Sequence, residues 1–319
     1  MQHSKKTKKI GVLLLNLGGP EKQEDVRPFL FNLFSDRLII RLGPAMLQKP
    51  IAALIARKRA PTSMANYQKI GGGSPIGTIT SRQAAALEKM LQSDGDFIVR
   101  PCMRYWHPFA RTVLEELAGQ GVEEIIALPL YPHYSKATSG SSFIDLEHWN
   151  QQTGLNIPTR TIISWPAQQA YIDCLARRIE EGRQGFARSP QIVYSAHSLP
   201  RQFIDEGDPY VEELGQTIAA LEQLTGHKGV LCYQSRSGPV QWLTPSTPDM
   251  LKKLANRGCK DILIVPISFV SDHIETLYEI DMLYKEQAAG LGMQLQSTKG
   301  LNDDPAFIKA LQTLVLSSC

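Results

Sequence analysis

The chain has 319 residues, a length that suggests two domains at roughly 150 residues each. Charged residues make up 20% and hydrophobic residues 43%, ordinary proportions for a globular protein, and a net charge of +3 is too small to call for a nucleic-acid partner. The start, MQHSKKTKKI, is basic but leads into no apolar signal core, and no run reaches the roughly 18 apolar residues of a spanning helix, so a cytoplasmic protein is expected.

Strand-like and helix-like segments then alternate along the chain. GVLLLNL (11–17) reads as a strand, followed by helical spacing over 23–34. Residues 38–60, LIIRLGPAMLQKPIAALIARKRA, break the pattern by mixing aliphatics with Arg, Lys and two prolines. They read either as a core helix with a basic solvent face or as an apolar lip for a greasy ligand or a membrane surface. NYQKIGGGSPIG (66–77) is a loop whose glycines allow close approach to a ligand or leave amides free for an anion. It has no Lys where a phosphate loop needs one, and LNLGGP (15–20) has only one Gly pair, so nucleotide readings weaken.

Further strands are expected at 97–103, 123–131 and 159–165, with helices at 108–119, 141–150 and 167–181. The series restarts with strands at 191–198, 228–235, 260–269 and 293–297 and helices at 208–225, 246–257, 272–288 and 304–316. Continuous apolar strands between amphipathic helices predict parallel sheets covered on both faces, and two series predict two doubly wound domains, 8–165 and 166–319, meeting near Trp165. Ligands in such folds bind beyond the carboxyl ends of the strands, so polar residues there are the candidates for chemistry.

YSAHSLP (194–200) puts His197 at a strand end among small neighbours that leave room around the ring. A lone His is more often structural, and only this position lifts it. In PISFVSDHIETLYEID (266–281), Ser271 or Asp272 is a candidate N-cap, and Asp272, Glu275 and Glu279 recur at i, i+3 and i+7. On one helix face, with His273 at the same mouth, they suit passage of a divalent metal or of protons; the plainer reading is capping and dipole compensation. PCMRYWHP (101–108) and SRSGPVQWLTP (235–245) add aromatic and basic groups at two more strand ends, fit for a flat anionic ligand or for a packed corner. Cys102, Cys174, Cys232, Cys259 and Cys319 form no CxxC pair, so buried reduced thiols are expected rather than disulfides or a zinc site.

At these residues the sequence resembles the ferrochelatases, from about Lys9 to about Asp304. The likeness rests on LLLNLGGPE, IGGGSPI, MRYWHP, YPHYS, SAHSLP, QSRSGPVQWL and PISFVSDHIETLYEID in that order. The resemblance implies two Rossmann-like domains with a porphyrin cleft between them, and an enzyme that inserts ferrous iron into protoporphyrin to form haem b. It implies that His197 and Glu275 are catalytic and face the porphyrin centre. Asn16, Leu17, Arg104, Tyr105, Trp242, Phe269, Asp272 and His273 match positions that line or support the pocket. Arg59, Tyr67, Ser74 and Ser235 match positions at the cleft entrance or at the propionates. Metal handling is expected of His197, Glu275, Asp272, His273 and Glu279.

The partners implied are the porphyrin and ferrous iron, with handover from the preceding porphyrin-pathway enzyme. Membrane contact through 38–60 would put the protein at the inner face of a membrane. No permanently bound cofactor is expected: the chain ends LVLSSC, whereas relatives with an iron–sulfur cluster carry a cysteine-rich extension, and a cluster needs about four thiolates. Leu17 stands where some Gram-positive relatives that use coproporphyrin have Tyr, which points to protoporphyrin. Thr62 replaces a propionate-binding Lys of the animal enzyme, and Leu283 replaces an acidic residue, so the acidic row stops early. Alternatives are a coproporphyrin III ferrochelatase, a cobalt or nickel chelatase of another tetrapyrrole, and a porphyrin carrier without turnover.

Overall fold

The computed structural model describes residues 8–236, 238 and 240–319. Most of the basic start, residues 1–7, and Ser237 and Pro239 of QSRSGPVQWL lie outside the described residues.

Strand β1 (Lys9–Asn16) buries Val12 and Leu14 on one face and Leu13 and Leu15 on the other. A strand apolar on both faces needs a helix layer on each side and sits inside a sheet. β1 is flanked in parallel by β2 (Asp96–Met103) and β3 (Glu124–Pro129), and β4 (Thr159–Thr161) closes the order β2-β1-β3-β4. The second half repeats this arrangement with β5 (Gln191–His197), β6 (Gly229–Gln234), β7 (Asp261–Pro266) and β8 (Gln294–Ser297) in the order β6-β5-β7-β8, again all parallel. The fold is thus α/β, with two four-stranded parallel sheets flanked by helices. In each sheet the chain leaves the central strand for one edge and returns on its other side. That reversal opens a crevice at the carboxyl ends of β1 and β3 and of β5 and β7.

Several elements differ from the sequence reading. The strand expected over 159–165 pairs only through Thr161, and that over 260–269 stops at Pro266 before a turn. Helix α3 (Ile76–Leu91) occupies a stretch to which the sequence reading assigns no element. Its start, IGTIT, is rich in β-branched residues and follows a glycine loop, but Ile76, Ile79, Leu87 and Leu91 fall on one buried face. The 38–60 stretch divides: an irregular run with one 3-10 turn (Ala45–Leu47) precedes the 22-residue helix α2 (Gln48–Lys69). Ala52, Ala56 and Ala60 bury their small faces against α1 (Val26–Ser35), while Met46 (84%) and Leu54 (67%) stay exposed. Gln48 pins this lip. Its buried amide donates to Phe34 O (2.8 Å) and Ile40 O (2.9 Å) and accepts from Arg37 and from the Leu42 amide.

The two sheets share a core. Helix α11 (Pro305–Leu316) packs on both α3 and α6 (Gln169–Arg183), and Trp165 meets the rings of Tyr171 and Phe307. One apolar cluster therefore runs from Leu87 and Leu91 through Leu311 to Leu263. No helix of the described residues is long and apolar enough to cross a membrane.

Candidate active site

Strand β5 ends on His197, whose partner across the ladder is Gln234 at the end of β6. The imidazole leans over the carboxyl edge of the sheet with 37% of its side chain accessible. Its Nδ1 lies 2.8 Å from Glu275 Oε2. Glu275 opens a π-helix, Glu275–Tyr284, which follows the turn after β7. Because the helix starts only at Glu275, the acidic row expected on one helix face is reduced to Glu275 and Glu279. Glu275 and Glu279 meet at Ser235, whose Oγ lies 2.9 Å from Glu275 Oε2 and 2.6 Å from Glu279 Oε2.

Asp272 does not join that row. It precedes the helix, and its carboxylate accepts from Asn302 Nδ2 (2.7 Å) and Thr276 Oγ1 (3.2 Å). Neither Ser271 nor Asp272 caps the helix, which starts from Ile274 without a side-chain cap. His273 is buried with Nδ1 at 3.0 Å from Ser271 O, so Nδ1 carries the hydrogen and the bare Nε2 faces Glu275 Oε1 at 4.0 Å. Phe269 stands between the two imidazoles, at 4.4 Å from His273 and 6.4 Å from His197 between ring centres.

Hydrogen counting fixes the order of donors. A serine hydroxyl has one hydrogen, so it can donate to only one of the two carboxylates it touches. Burial pushes Glu279 up to about 7, and the charge on Glu275 adds to the effect. A protonated Glu279 then donates to Ser235, and Ser235 to Glu275. Burial opposes charge on Glu275 too, but His197, by charge and by hydrogen bond, holds it well below the usual carboxylate range. Burial alone would lower His197; Glu275, with Glu279 behind it, holds the imidazole above its ordinary value. Burial keeps His273 below its ordinary value. Ser235 itself sits at φ 65°, a left-handed conformation rarely taken by a non-glycine residue and often kept at functional sites.

The first sheet supplies the facing wall. Asn16, at the end of β1, is buried and bonded to Thr80 Oγ1 (3.1 Å) and to the Leu17 amide. Leu17, Tyr67, Tyr105 and Trp106 share one cluster with Ile274, the residue before Glu275, so the two crevices face each other. Burial and the charge of Glu275 push the Tyr67 phenol up. Arg104 is not a free cation for an anionic ligand, because its guanidinium meets Asp36 (2.8 Å) and Asp145 (3.3 Å). Asp36 also accepts from Tyr105 and Ser141.

The glycine loop is a packing joint rather than an anion cradle. The Gly71, Gly72 and Ser74 amides donate to Gln68, Tyr67 and Pro20 carbonyls. A Cβ on Gly73 would lie 2.0 Å from Glu21 O, and one on Gly19 would lie 2.7 Å from the Ser74 Cβ. Ser74 is buried in that joint. Arg59 lies on α2 with its guanidinium 5.5 Å from the Phe34 ring centre, and Trp242 pairs with Pro200 beside the His197 segment. Asp36, Gln234 and Ser268 are site supports the sequence reading missed. Ser268 lay inside the quoted PISF motif, but nothing in its spacing marked it as the acceptor of the His197 amide at 3.0 Å. Among the described residues no group of three or more His, Cys, Asp or Glu side chains forms a metal cage.

Comparison with known proteins bears on this site. The family profile described as Ferrochelatase matches residues 9–319. The chain is 57% identical over 309 residues to the ferrochelatase of Desulfotalea psychrophila, covering 97% of each chain. It is 48% identical over 311 residues to that of Geotalea uraniireducens, covering 96% of this chain and 97% of the other. Among solved structures, SirB from Bacillus subtilis with Fe3+ is similar at a TM-score of 0.56 and 12% identity, with 97% and 95% covered. CbiX, the terminal enzyme for biosynthesis of siroheme in denitrifying bacteria, is similar at 0.51 and 11%, with 98% and 100% covered. At such identities these two structures speak for the fold alone.

Proposed function

The chain belongs to the ferrochelatase family, and from that premise we propose that it inserts ferrous iron into protoporphyrin IX, releasing haem b and two protons as the terminal step of haem biosynthesis. Family membership makes it a metal chelatase acting on a tetrapyrrole. The observation that carries the finer reading is the 2.8 Å bond from His197 to Glu275, continued through Ser235 to Glu279.

Insertion must remove two pyrrole protons. With Nδ1–H donated to Glu275, His197 keeps the Nε2 lone pair, and the carboxylate raises its basicity. His197 takes a pyrrole proton at Nε2, and the imidazolium is stabilised by ionised Glu275. Once Glu279 has released its own proton to solvent, the Ser235 hydroxyl can turn to it, and the Glu275–Ser235–Glu279 chain then offers a route by which protons leave. Imidazole and carboxylate are adequate transient ligands for ferrous iron, and Glu275 and His273 guide it as cargo rather than hold it as a resident cofactor. We read 8–165 and 166–319 as the two domains that form the cleft.

Two features support protoporphyrin over the four-carboxylate coproporphyrin. Leu17 keeps its part of the wall apolar, and Arg104 is already neutralised by Asp36 and Asp145, so neither offers a partner for extra carboxylates. Arg59 then stands at the entrance, and Trp242 lines the pocket. An anaerobic insertion assay with protoporphyrin, coproporphyrin and sirohydrochlorin side by side tests this. Protoporphyrin should give the highest kcat/KM, and preference for either other ring overturns the reading.

The lip also gives the protein a place at the inner face of a membrane, where it takes porphyrin from the preceding enzyme. Exposed Met46, Leu47 and Leu54 lie among Arg41, Lys49, Arg57 and Lys58, a pattern suited to an anionic lipid surface. The protein should float with phosphatidylglycerol vesicles, and a Met46→Glu/Leu54→Glu variant should not. Equal flotation of the two would remove the lip from that role.

A further inference from the structure

The backbone of His197 is fixed by two side chains from outside its strand. Its amide donates to Ser268 Oγ at 3.0 Å, and its carbonyl accepts from the Tyr210 hydroxyl at 3.0 Å. Tyr210 is buried and begins helix α8 (Tyr210–Thr225). Its own amide donates to Asp208 Oδ1 at 3.1 Å. The other oxygen, Asp208 Oδ2, accepts from Ser135 Oγ at 3.0 Å and from the Lys136 amide at 2.8 Å. Ser135 and Lys136 belong to the segment that leaves β3 of the first sheet, so the Asp208 carboxylate joins the two halves of the molecule.

Asp208 is only 4% exposed, and the donors on it are neutral. Burying a carboxylate without a cation is costly, and an apolar pair would join the halves at less cost. What the carboxylate adds is direction. It fixes the start of α8 against the first sheet, and the Tyr210 hydroxyl carries that placement to the His197 carbonyl. His133 of the same segment supports the arrangement, edge-on to the Tyr210 ring at 6.1 Å and bonded to Thr217 Oγ1 at 2.7 Å.

We propose that Tyr210, held by Asp208 against residues 135–136, is a positioning residue that sets the place of His197 in the cleft, so that the imidazole is correctly aimed only while the two halves stay docked. The proposal rests on the reading of His197 as the base, and supporting groups of this kind matter because catalytic geometry tolerates errors of only about 0.5 Å.

The test uses the full chain with Tyr210→Phe, Asp208→Asn, the double variant and His197→Ala. Zinc insertion gives kcat and the porphyrin KM, and 15N-labelled histidine reports the His197 ring by NMR. Each single variant should lower kcat roughly five- to tenfold, as expected for one lost hydrogen bond, with KM within about twofold. The double variant should fall no further than the worse single, because both act through one chain. The His197 ring signals should move in both single variants. Unmoved ring signals overturn the proposal, whether turnover is unchanged or falls together with porphyrin binding. His197→Ala separates the two ideas: if it keeps turnover, the base reading fails, and the ring signals alone then judge the positioning role.

Discussion

At the residue scale, the site depends on which side chain holds each proton. Ser235 can serve both carboxylates only if one of them brings its own hydrogen, and Glu279 is the one pushed up, to about 7. Its neutral form is favoured on folding. The stability it contributes is complete below the ordinary carboxylate range and is lost as pH rises through about 7. Glu279→Gln keeps the shape and the neutrality, so the variant should escape that loss. From about pH 5 to about pH 7, urea unfolding should show the wild type losing on the order of 2 kcal/mol relative to the variant. Parallel curves for the two proteins would mean that Glu279 is ionised throughout. The sequence marked Glu275 and Glu279 but not this division of labour, which arises only when β6 brings Ser235 between them.

At the element scale, both sheets and most of the helices that cover them were legible because their residues obey local rules. Strands apolar on both faces, such as GVLLLNL and KDILIVP, have no other place to go. What stayed hidden was set by tertiary contact. Helix α3 begins with β-branched residues after a glycine loop, and its helical face shows its purpose only against β2 and α11. The π-helix has the composition of an α-helix, and its start at Glu275, not visible in that composition, leaves Asp272 outside. The lip was ambiguous in sequence because half of it is not regular structure. Its anchor is Gln48, a residue with no sequence signature, whose amide satisfies groups on both sides of the irregular run. Gln48→Leu strands these partners and should cost about 2 kcal/mol or more. It should speed tryptic cleavage at Arg37 and Arg41 and raise the porphyrin KM while kcat holds. Unchanged cleavage would show that the helix contacts, not Gln48, fix the lip.

At the scale of the whole molecule, two similar sheets share a core through α3, α6 and α11. His133 reports on that junction. Thr217 donates its hydrogen to Pro166 O at 2.6 Å, so it must accept from His133 Nε2, which leaves a neutral, buried ring with no partner at Nδ1 among the described residues. Burial lowers this imidazole to about 3. A depressed histidine contributes stability that is present above its ordinary value and lost as pH falls below about 6.5. The wild type should therefore lose about 2 kcal/mol between neutral pH and about pH 5 that His133→Gln does not lose. Equal acid limbs would mean that the ring finds a proton partner in the fold. In the proposed chemistry His197, backed by Glu275, takes protons from the porphyrin. Its most direct test is anaerobic iron insertion by His197→Ala at saturating protoporphyrin, with porphyrin affinity measured in parallel. Normal affinity is expected, with a fall in turnover of roughly a hundredfold or more, the usual scale for a lost general base. Turnover near that of the wild type would contradict it.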